Sequence, residues 1–171
     1  MSGLNYNEGM LALRFAGLLA VAVWLGGLLT LGAVAAPAVF DGTAARQIAE
    51  PRVLAGALVG DMLRRFHVVT YVCGGAVLAT LVLRAVLGPR PRFFRTRMAV
   101  ASGMLAAALY SGLWLTGQIE RLRQDIGVAP SSLPEADPRR IEFGRLHARS
   151  SAVQLVPLMG SLVLLLSELK D

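Results

Sequence analysis

Four long apolar segments dominate the pattern of hydrophobic and polar positions along the chain. They occupy residues 15–36, 66–87, 98–119 and 150–167, and none of them contains Asp, Glu or Lys. A bilayer core of roughly 30 Å is crossed by about 20 apolar residues in a helix. The alternation that a membrane barrel requires is absent, and lipid leaves backbone groups unsatisfied in any open structure. The pattern therefore predicts an all-α polytopic membrane protein, a four-transmembrane-helix bundle forming one domain over residues 1–171.

The connector between spans one and two contains a helical pattern of its own. We expect Pro37 to end the first span, because proline lacks the N–H that a helix interior needs. Further on, Pro51 suits the first turn of a new helix, and Leu54, Leu58 and Met62 then recur every four residues. The spacing predicts a short interfacial helix that either lies along the membrane surface or runs straight into span two.

The connector between spans three and four is predicted to protrude as a helical hairpin. Glu120 and Arg123 have the spacing of a helix leaving the membrane, and Gly127 is a suitable stop. After a proline-rich loop, Asp137 and Pro138 are typical of an N-cap and a first helical residue.

The amino-acid composition argues against most functions of soluble proteins. Of the 171 residues, 55% are hydrophobic and only 16% are charged, whereas charged residues reach about 25% in soluble domains. The net charge of +6 does not indicate nucleic acid binding, because no soluble surface is left to carry a basic face. The single cysteine excludes an internal disulfide and paired-cysteine metal or redox motifs.

Small residues four positions apart predict close packing of the spans. Span three carries one line of Gly103, Ala107 and Ser111 and a second of Ala108 and Gly112. Spans one and two add the pairs Ala22 with Gly26 and Gly75 with Ala79. Such spacing lets helix backbones approach in lipid. It favours a compact bundle and equally allows a homo-oligomer or a membrane protein partner alongside the lipid bilayer.

Arginine density predicts the orientation. Residues 84–97 hold five arginines, and basic loops favour the cytoplasmic side. The total count opposes this, with ten Lys and Arg on the other side against seven. We give density more weight and expect cytoplasmic termini and a plasma (inner) membrane location. Arg14 and Arg84, near span ends, are interpreted as snorkelling to headgroups.

Catalytic and transport chemistry has little support in the spans. Ion-coupled carriers usually need an ionisable group within the membrane, and the predicted spans offer no acid or lysine. Nucleophile-elbow, zinc-protease, P-loop and dinucleotide motifs are missing. We therefore expect no enzymatic activity, no cofactor and no resident metal.

One end of the bundle gathers polar side chains. Spans two and four start on the same side, which places His67 and His147 near one interface together with several arginines and acids. Headgroup contacts and helix capping explain such groups most simply. Binding of an anion, a headgroup or a metal ion is the alternative, although Cys73 lies roughly 9 Å along the helix from His67 and cannot share an ion with it.

A motif at the start of span four has a clear physical reading. In a helix, Phe143, Leu146, His147 and Ser150 share one face. The two apolar residues would dock the protruding hairpin, and His147 and Ser150 would then point inward at the interface.

Several of these residues also resemble known families. Trp24 with Gly26, Pro37 with Phe40, and the Phe-x-x-Leu-His-x-x-Ser motif from Phe143 to Ser150 resemble the transmembrane-protein-205-like family. The resemblance implies a small four-helix integral membrane protein without an established activity. A weaker similarity, through the Trp-x-Gly-Gly segment and Arg65-Phe66, is to copper-resistance D-type membrane proteins, which have more spans.

The functional prediction is a non-enzymatic membrane scaffold or binding module with an interfacial polar site around His67 and His147. The alternative is a metal-ion or small-molecule exporter or handling protein of the copper- or drug-resistance type. The candidate functional positions are His147, Ser150, Phe143, Arg145, His67, Trp24, Gly26, Pro37 and Phe40.

Overall fold

The computed structural model describes residues 2–46 and 50–170, with side chains from residue 6 onward. Residues 47–49 of the predicted connector lie outside the described residues. The helices are α1 (Ser2–Leu29), a π-helical segment (Thr30–Ala35), α2 (Ala36–Ala45), α3 (Pro51–Leu87), α4 (Phe94–Leu109), a second π-helical segment (Tyr110–Leu115), α5 (Thr116–Ile126), a 3-10 turn (Pro130–Ser132) and α6 (Pro138–Glu168). No strand occurs in the described ranges.

These helices form four spans, which confirms the predicted membrane bundle. Tyr6–Ala45, Pro51–Leu87, Phe94–Ile126 and Pro138–Glu168 are each long and apolar enough to cross a membrane. Even the shortest, with 31 residues, is roughly 46 Å long at 1.5 Å per residue. Since the bilayer core is about 30 Å thick, every span extends beyond it.

The spans form a ring whose two halves pack differently. In the half near the termini, α1 packs on α3, α3 on α4, α4 on α6, and α6 returns to α1. The buried core lies there and includes Trp24, Cys73, Leu81, Met104 and Leu164. In the other half α2 packs on α3 and α5 on α6, and no comparable contact joins α2 to α5 or α6 among the described residues. The helices of this half therefore leave an open space between them.

Span one does not end at Pro37, contrary to prediction. The helix continues through Pro37 to Ala45, and the π-helical segment Thr30–Ala35 lies directly before it. Proline cannot donate to the carbonyl four residues earlier. In a π-helical segment the backbone hydrogen bonds join residues five apart instead of four, so the pairing of N–H and carbonyl groups shifts before the proline. Pro37 then lies in the first turn of α2, where the missing N–H costs little.

The predicted connector helix is not a separate interfacial helix. It forms the first turns of α3, which runs unbroken from Pro51 to Leu87. Of the two predicted forms, the one continuous with span two is observed. Glu50, in the left-handed region at φ 54°, turns the chain into this helix.

The predicted hairpin between spans three and four is confirmed. α5 ends at Ile126, and the next residue, Gly127, has a positive φ of 71° and donates its N–H to the Arg123 carbonyl. At the start of α6, Asp137 caps the helix by accepting from the Arg139 N–H at 2.8 Å. Hydrogen bonds from the side chain and backbone of Arg139 lower the pKa of the Asp137 carboxyl.

Most of the glycines predicted to lie at close helix contacts do not, and other glycines lie there instead. Around Gly26, Gly75 and Gly103 an added Cβ would meet nothing within 4 Å. At Gly27, the neighbour of Gly26, the same Cβ would overlap the Phe66 ring. Of the predicted glycines, only Gly112, four residues after the buried Ala108, lies at a close contact.

Candidate functional site

A cavity of about 420 Å³ occupies the open half of the bundle, and side chains from all four spans line it. Its apolar wall includes Leu28, Leu31, Val59, Leu63, Phe66 and Ile119. Its polar lining consists of Thr116, Glu120, Arg123, His147, Ser150, Ser151 and Gln154. Gly32, Gly56 and Gly60 also border the space, and their lack of side chains keeps it wide.

The predicted motif at the start of span four forms one side of this cavity. Phe143, His147 and Ser150 all line it, and Leu146 is buried behind them. The rings of Phe143 and His147 stack with centroids 6.1 Å apart and planes within 5°. Phe143, His147 and Ser150 thus lie along one side of α6, which presents an imidazole and a hydroxyl to the cavity.

The Ser150 hydroxyl is available to a ligand. Ser150 is buried, yet its side chain makes no hydrogen bond within the described ranges. Ser151, by contrast, donates to the His147 carbonyl at 3.0 Å. Since Ser150 lines the cavity, its hydroxyl can hydrogen-bond a ligand or water there.

The second π-helical segment lies beside the inner end of the cavity. Ser111 within it is fully buried, and Gln154 reaches its hydroxyl at 3.5 Å. The Thr116 hydroxyl donates to the Ser111 carbonyl at 2.9 Å, five residues back. The first π segment contributes Leu31 and Gly32 to the opposite wall. Single π turns inside helices are frequent at functional sites.

A smaller cavity of about 340 Å³ adjoins the first at the hairpin end. We call it the vestibule. It shares Phe40, Gly56, Arg123 and Phe143 with the main cavity and adds Arg52 and Arg140. Arg123 is paired with Glu120 at 2.9 Å. The two cavities therefore lie side by side, the main one with a mostly apolar wall and the vestibule with three arginines in its lining.

The two histidines of the predicted interfacial site face different neighbours. His67 is buried against span three, where a Cβ at Gly112 would lie 2.8 Å from the imidazole Cγ. It is not part of the cavity lining, whereas His147 is. Among the described residues no group of three His, Cys, Asp or Glu is placed to hold a metal ion. Of the two predicted histidines, only His147 lines the cavity.

The remaining candidates divide between core, cavity and surface. Trp24 is buried in the core, whereas Gly26 and Pro37 are exposed on the outside of span one. Phe40 lines both cavities. Arg145 lies on the exposed surface and pairs with Glu142 at 3.4 Å. Of these five, only Phe40 lines the cavity.

Residues 19–127 match a family described as a domain of unknown function, DUF4149. The chain belongs to this family. The DUF4149 match covers most of span one, all of span two and span three, and therefore three of the four walls of the cavity. The His147 side of the cavity lies beyond the matched residues. Comparison with curated proteins and with solved structures found no match.

The structure of this DUF4149 chain also contains a buried ionic cluster that the sequence analysis missed. At the end near the termini, the Glu168 carboxylate contacts Arg84 at 2.7 Å, Arg97 at 2.8 Å and Arg14 at 3.0 Å. Arg14 and Arg97 also donate to the last carbonyls of α6, at Glu168 and Ser167. Arg14 and Arg84 thus bind a carboxylate rather than only snorkelling.

The residues of this cluster are visible in the sequence but lie in separate parts of the chain. Glu168 follows directly after the predicted end of span four, and the three arginines come from three different spans. Pairing this acid with basic residues at the same end of the bundle would have pointed to it.

Proposed function

We propose that this protein is a non-enzymatic membrane binding module that takes an apolar molecule into the cavity beside His147. The observation that carries the proposal is the cavity itself. Its volume of about 420 Å³ falls within the roughly 300–1,000 Å³ of typical small-molecule sites. A bundle serving only as a scaffold has no need of a space of this size between its helices.

The lining supports a ligand that is mostly hydrocarbon. Ligand sites combine predominantly apolar walls with a few placed polar groups. Here the apolar wall comes mainly from spans one and two, and the polar groups from spans three and four. A ligand would gain hydrophobic burial on one side and hydrogen bonds to Ser150 or His147 on the other.

A binding role fits the polar groups better than catalysis. No hydrogen bond joins the His147 ring to a hydroxyl in the part of the chain that the structure describes. Nucleophilic catalysis relies on such a nucleophile–base pair. The two polar groups therefore suit recognition of a ligand.

A finer family assignment belongs to the same proposal. The residues that resemble the transmembrane-protein-205-like family include Phe143, His147 and Ser150, which line the cavity. We propose that the chain also belongs to that family. With it we propose a plasma membrane location and cytoplasmic termini, based on the basic segment 84–97.

Two glycines of span one provide the test. Gly32 borders the cavity and Gly26 faces outward, and at both positions a Cβ meets nothing within 4 Å. Gly32→Leu would fill part of the cavity, whereas Gly26→Leu would extend into lipid. Binding of dodecanol is measured by native mass spectrometry of the protein in a neutral detergent.

We expect saturable binding of dodecanol to the wild type and to Gly26→Leu. Gly32→Leu should weaken it by about tenfold or more, since each CH₂ excluded from the cavity costs about fourfold in affinity. Equal binding by all three proteins, or none by the wild type, would refute the proposal.

The exporter alternative makes a separate prediction. It requires net movement of a small molecule or metal ion across a bilayer, which proteoliposomes loaded with the compound would reveal. Binding without movement favours the module.

A further inference from the structure

The arginines of the vestibule specify the kind of molecule that the cavity takes. We propose that the ligand is an anionic amphiphile, whose hydrocarbon chain lies in the main cavity and whose phosphate or carboxylate group lies between Arg52, Arg123 and Arg140. This inference rests on the proposed function and adds the chemical class of the ligand.

Two of the three arginines are positioned by neutral acceptors. Arg52 donates to the Ser131 hydroxyl at 3.0 Å, and Arg140 donates to the Leu133 carbonyl at 2.7 Å. Both acceptors come from the hairpin loop between α5 and α6. Such bonds orient a guanidinium group without neutralising its charge, and each retains further N–H donors for an anion.

The acids near the vestibule compensate only part of this charge. Glu120 pairs closely with Arg123 at 2.9 Å. Glu135 lies 3.7 Å from Arg140, but its side chain is 93% exposed, so water screens that pair. Arg52 has no carboxylate partner among the described residues. The vestibule therefore keeps a positive potential that attracts an anion.

The dimensions fit a head with a tail rather than a small anion. From Arg140 to Gln154 the lining follows α6 for fourteen residues, or roughly 20 Å at 1.5 Å per residue. The two cavities share Phe40 and Phe143 at their junction. A chain that passes these rings places its charged end among the arginines and its methylene groups against the apolar wall.

The test compares three probes on the full chain in nanodiscs of neutral phosphatidylcholine. Dodecyl phosphate carries both head and tail, dodecanol carries the tail, and inorganic phosphate carries the head. Binding is measured by calorimetric titration. We expect dodecyl phosphate to bind at least tenfold more tightly than dodecanol, and inorganic phosphate to bind negligibly.

Variants separate the head site from the cavity. Arg52→Gln and Arg140→Gln should each weaken the binding of dodecyl phosphate by about tenfold or more, because each removes a hydrogen bond to a charged group. Dodecanol binding should stay unchanged, which also shows that the variants are folded. Arg64→Gln is the matched control, because Arg64 lies on the same side of the membrane but outside both cavities.

Each contrary outcome has a distinct meaning. If dodecyl phosphate binds no more tightly than dodecanol, the anionic head site is refuted and the binding module stands. The same conclusion follows if Arg64→Gln weakens binding of dodecyl phosphate as much as the vestibule variants do. If inorganic phosphate binds as tightly as dodecyl phosphate, the ligand is a free anion and the inference is wrong. If neither long-chain probe binds, the proposed function itself fails.

Discussion

Replacing Glu168 by glutamine removes one negative charge from the centre of the arginine cluster while keeping the size of the side chain. The carboxylate is only 13% exposed, and its partner Arg97 is 2% exposed. In the wild type Oε1 accepts from both Arg84 and Arg97, and Oε2 faces Arg14. In the variant three guanidinium groups would surround a neutral amide.

The expected loss follows from burial. Removing one partner of a buried ion pair costs about 3–5 kcal/mol, because the remaining charge stays desolvated. Arg14 has 37% of its side chain exposed and is screened by water, so Arg84 and Arg97 dominate. We expect Glu168→Gln to lower the free energy of unfolding by about 3 kcal/mol. On the scale of soluble domains this corresponds to a melting temperature lower by about 10 °C.

The chain contains its own reporter for this measurement. Cys73 is the single cysteine and is 6% exposed within the core. A thiol-reactive fluorogenic dye will therefore label the protein in detergent only as the bundle unfolds, and the labelling curve gives the melting temperature.

The control is Glu142→Gln, which breaks the exposed pair with Arg145. The Glu142 side chain is 47% exposed, and pairs of this kind are worth about 0–1 kcal/mol. A shift for Glu168→Gln no larger than that of Glu142→Gln would refute the reasoning that the cluster is a buried, coupled network. A double variant Glu168→Gln, Arg97→Gln should recover part of the loss.

Two further predictions concern packing and capping. Gly27→Ala places a methyl group on the Phe66 ring and should destabilise the protein by about 1–3 kcal/mol. Gly26→Ala should leave the stability unchanged, and the same dye assay compares the melting temperatures of the two variants. The lowered pKa of Asp137 stabilises the folded state above about pH 4, the ordinary value of an aspartate. That contribution is lost as the pH falls through the lower folded-state pKa. The drop in melting temperature between neutral and acidic pH should therefore be smaller in Asp137→Ala than in the wild type, and equal drops would contradict the role of the cap.

The candidate site was predictable in part. The spacing of Phe143, His147 and Ser150 required only that the segment be helical, and all three line the cavity. His67 does not line the cavity with His147, because the rotation of a helix about its axis decides which neighbour a side chain meets. His67 faces Gly112 of span three instead.

The vestibule was harder to predict, because its arginines come from three different elements. Arg52 lies in the first turn of α3, Arg123 in α5 and Arg140 in the first turn of α6. Their convergence depends on how the hairpin loop folds back and offers Ser131 and the Leu133 carbonyl as acceptors. No local pattern contains that information.

Four spans, their helical form and the protruding hairpin follow from sequence alone, since lipid requires every backbone group in an apolar segment to be paired within its own helix. Local chemistry likewise determined the helix stop at Gly127 and the cap at Asp137. Tertiary structure decided which glycines touch a neighbour, that span one continues beyond Pro37, and that one carboxylate gathers three arginines. It also decided that one half of the bundle is packed while the other leaves an open cavity between its helices. These features depend on the separation and rotation of helices, which arise from the packing of residues far apart in the chain.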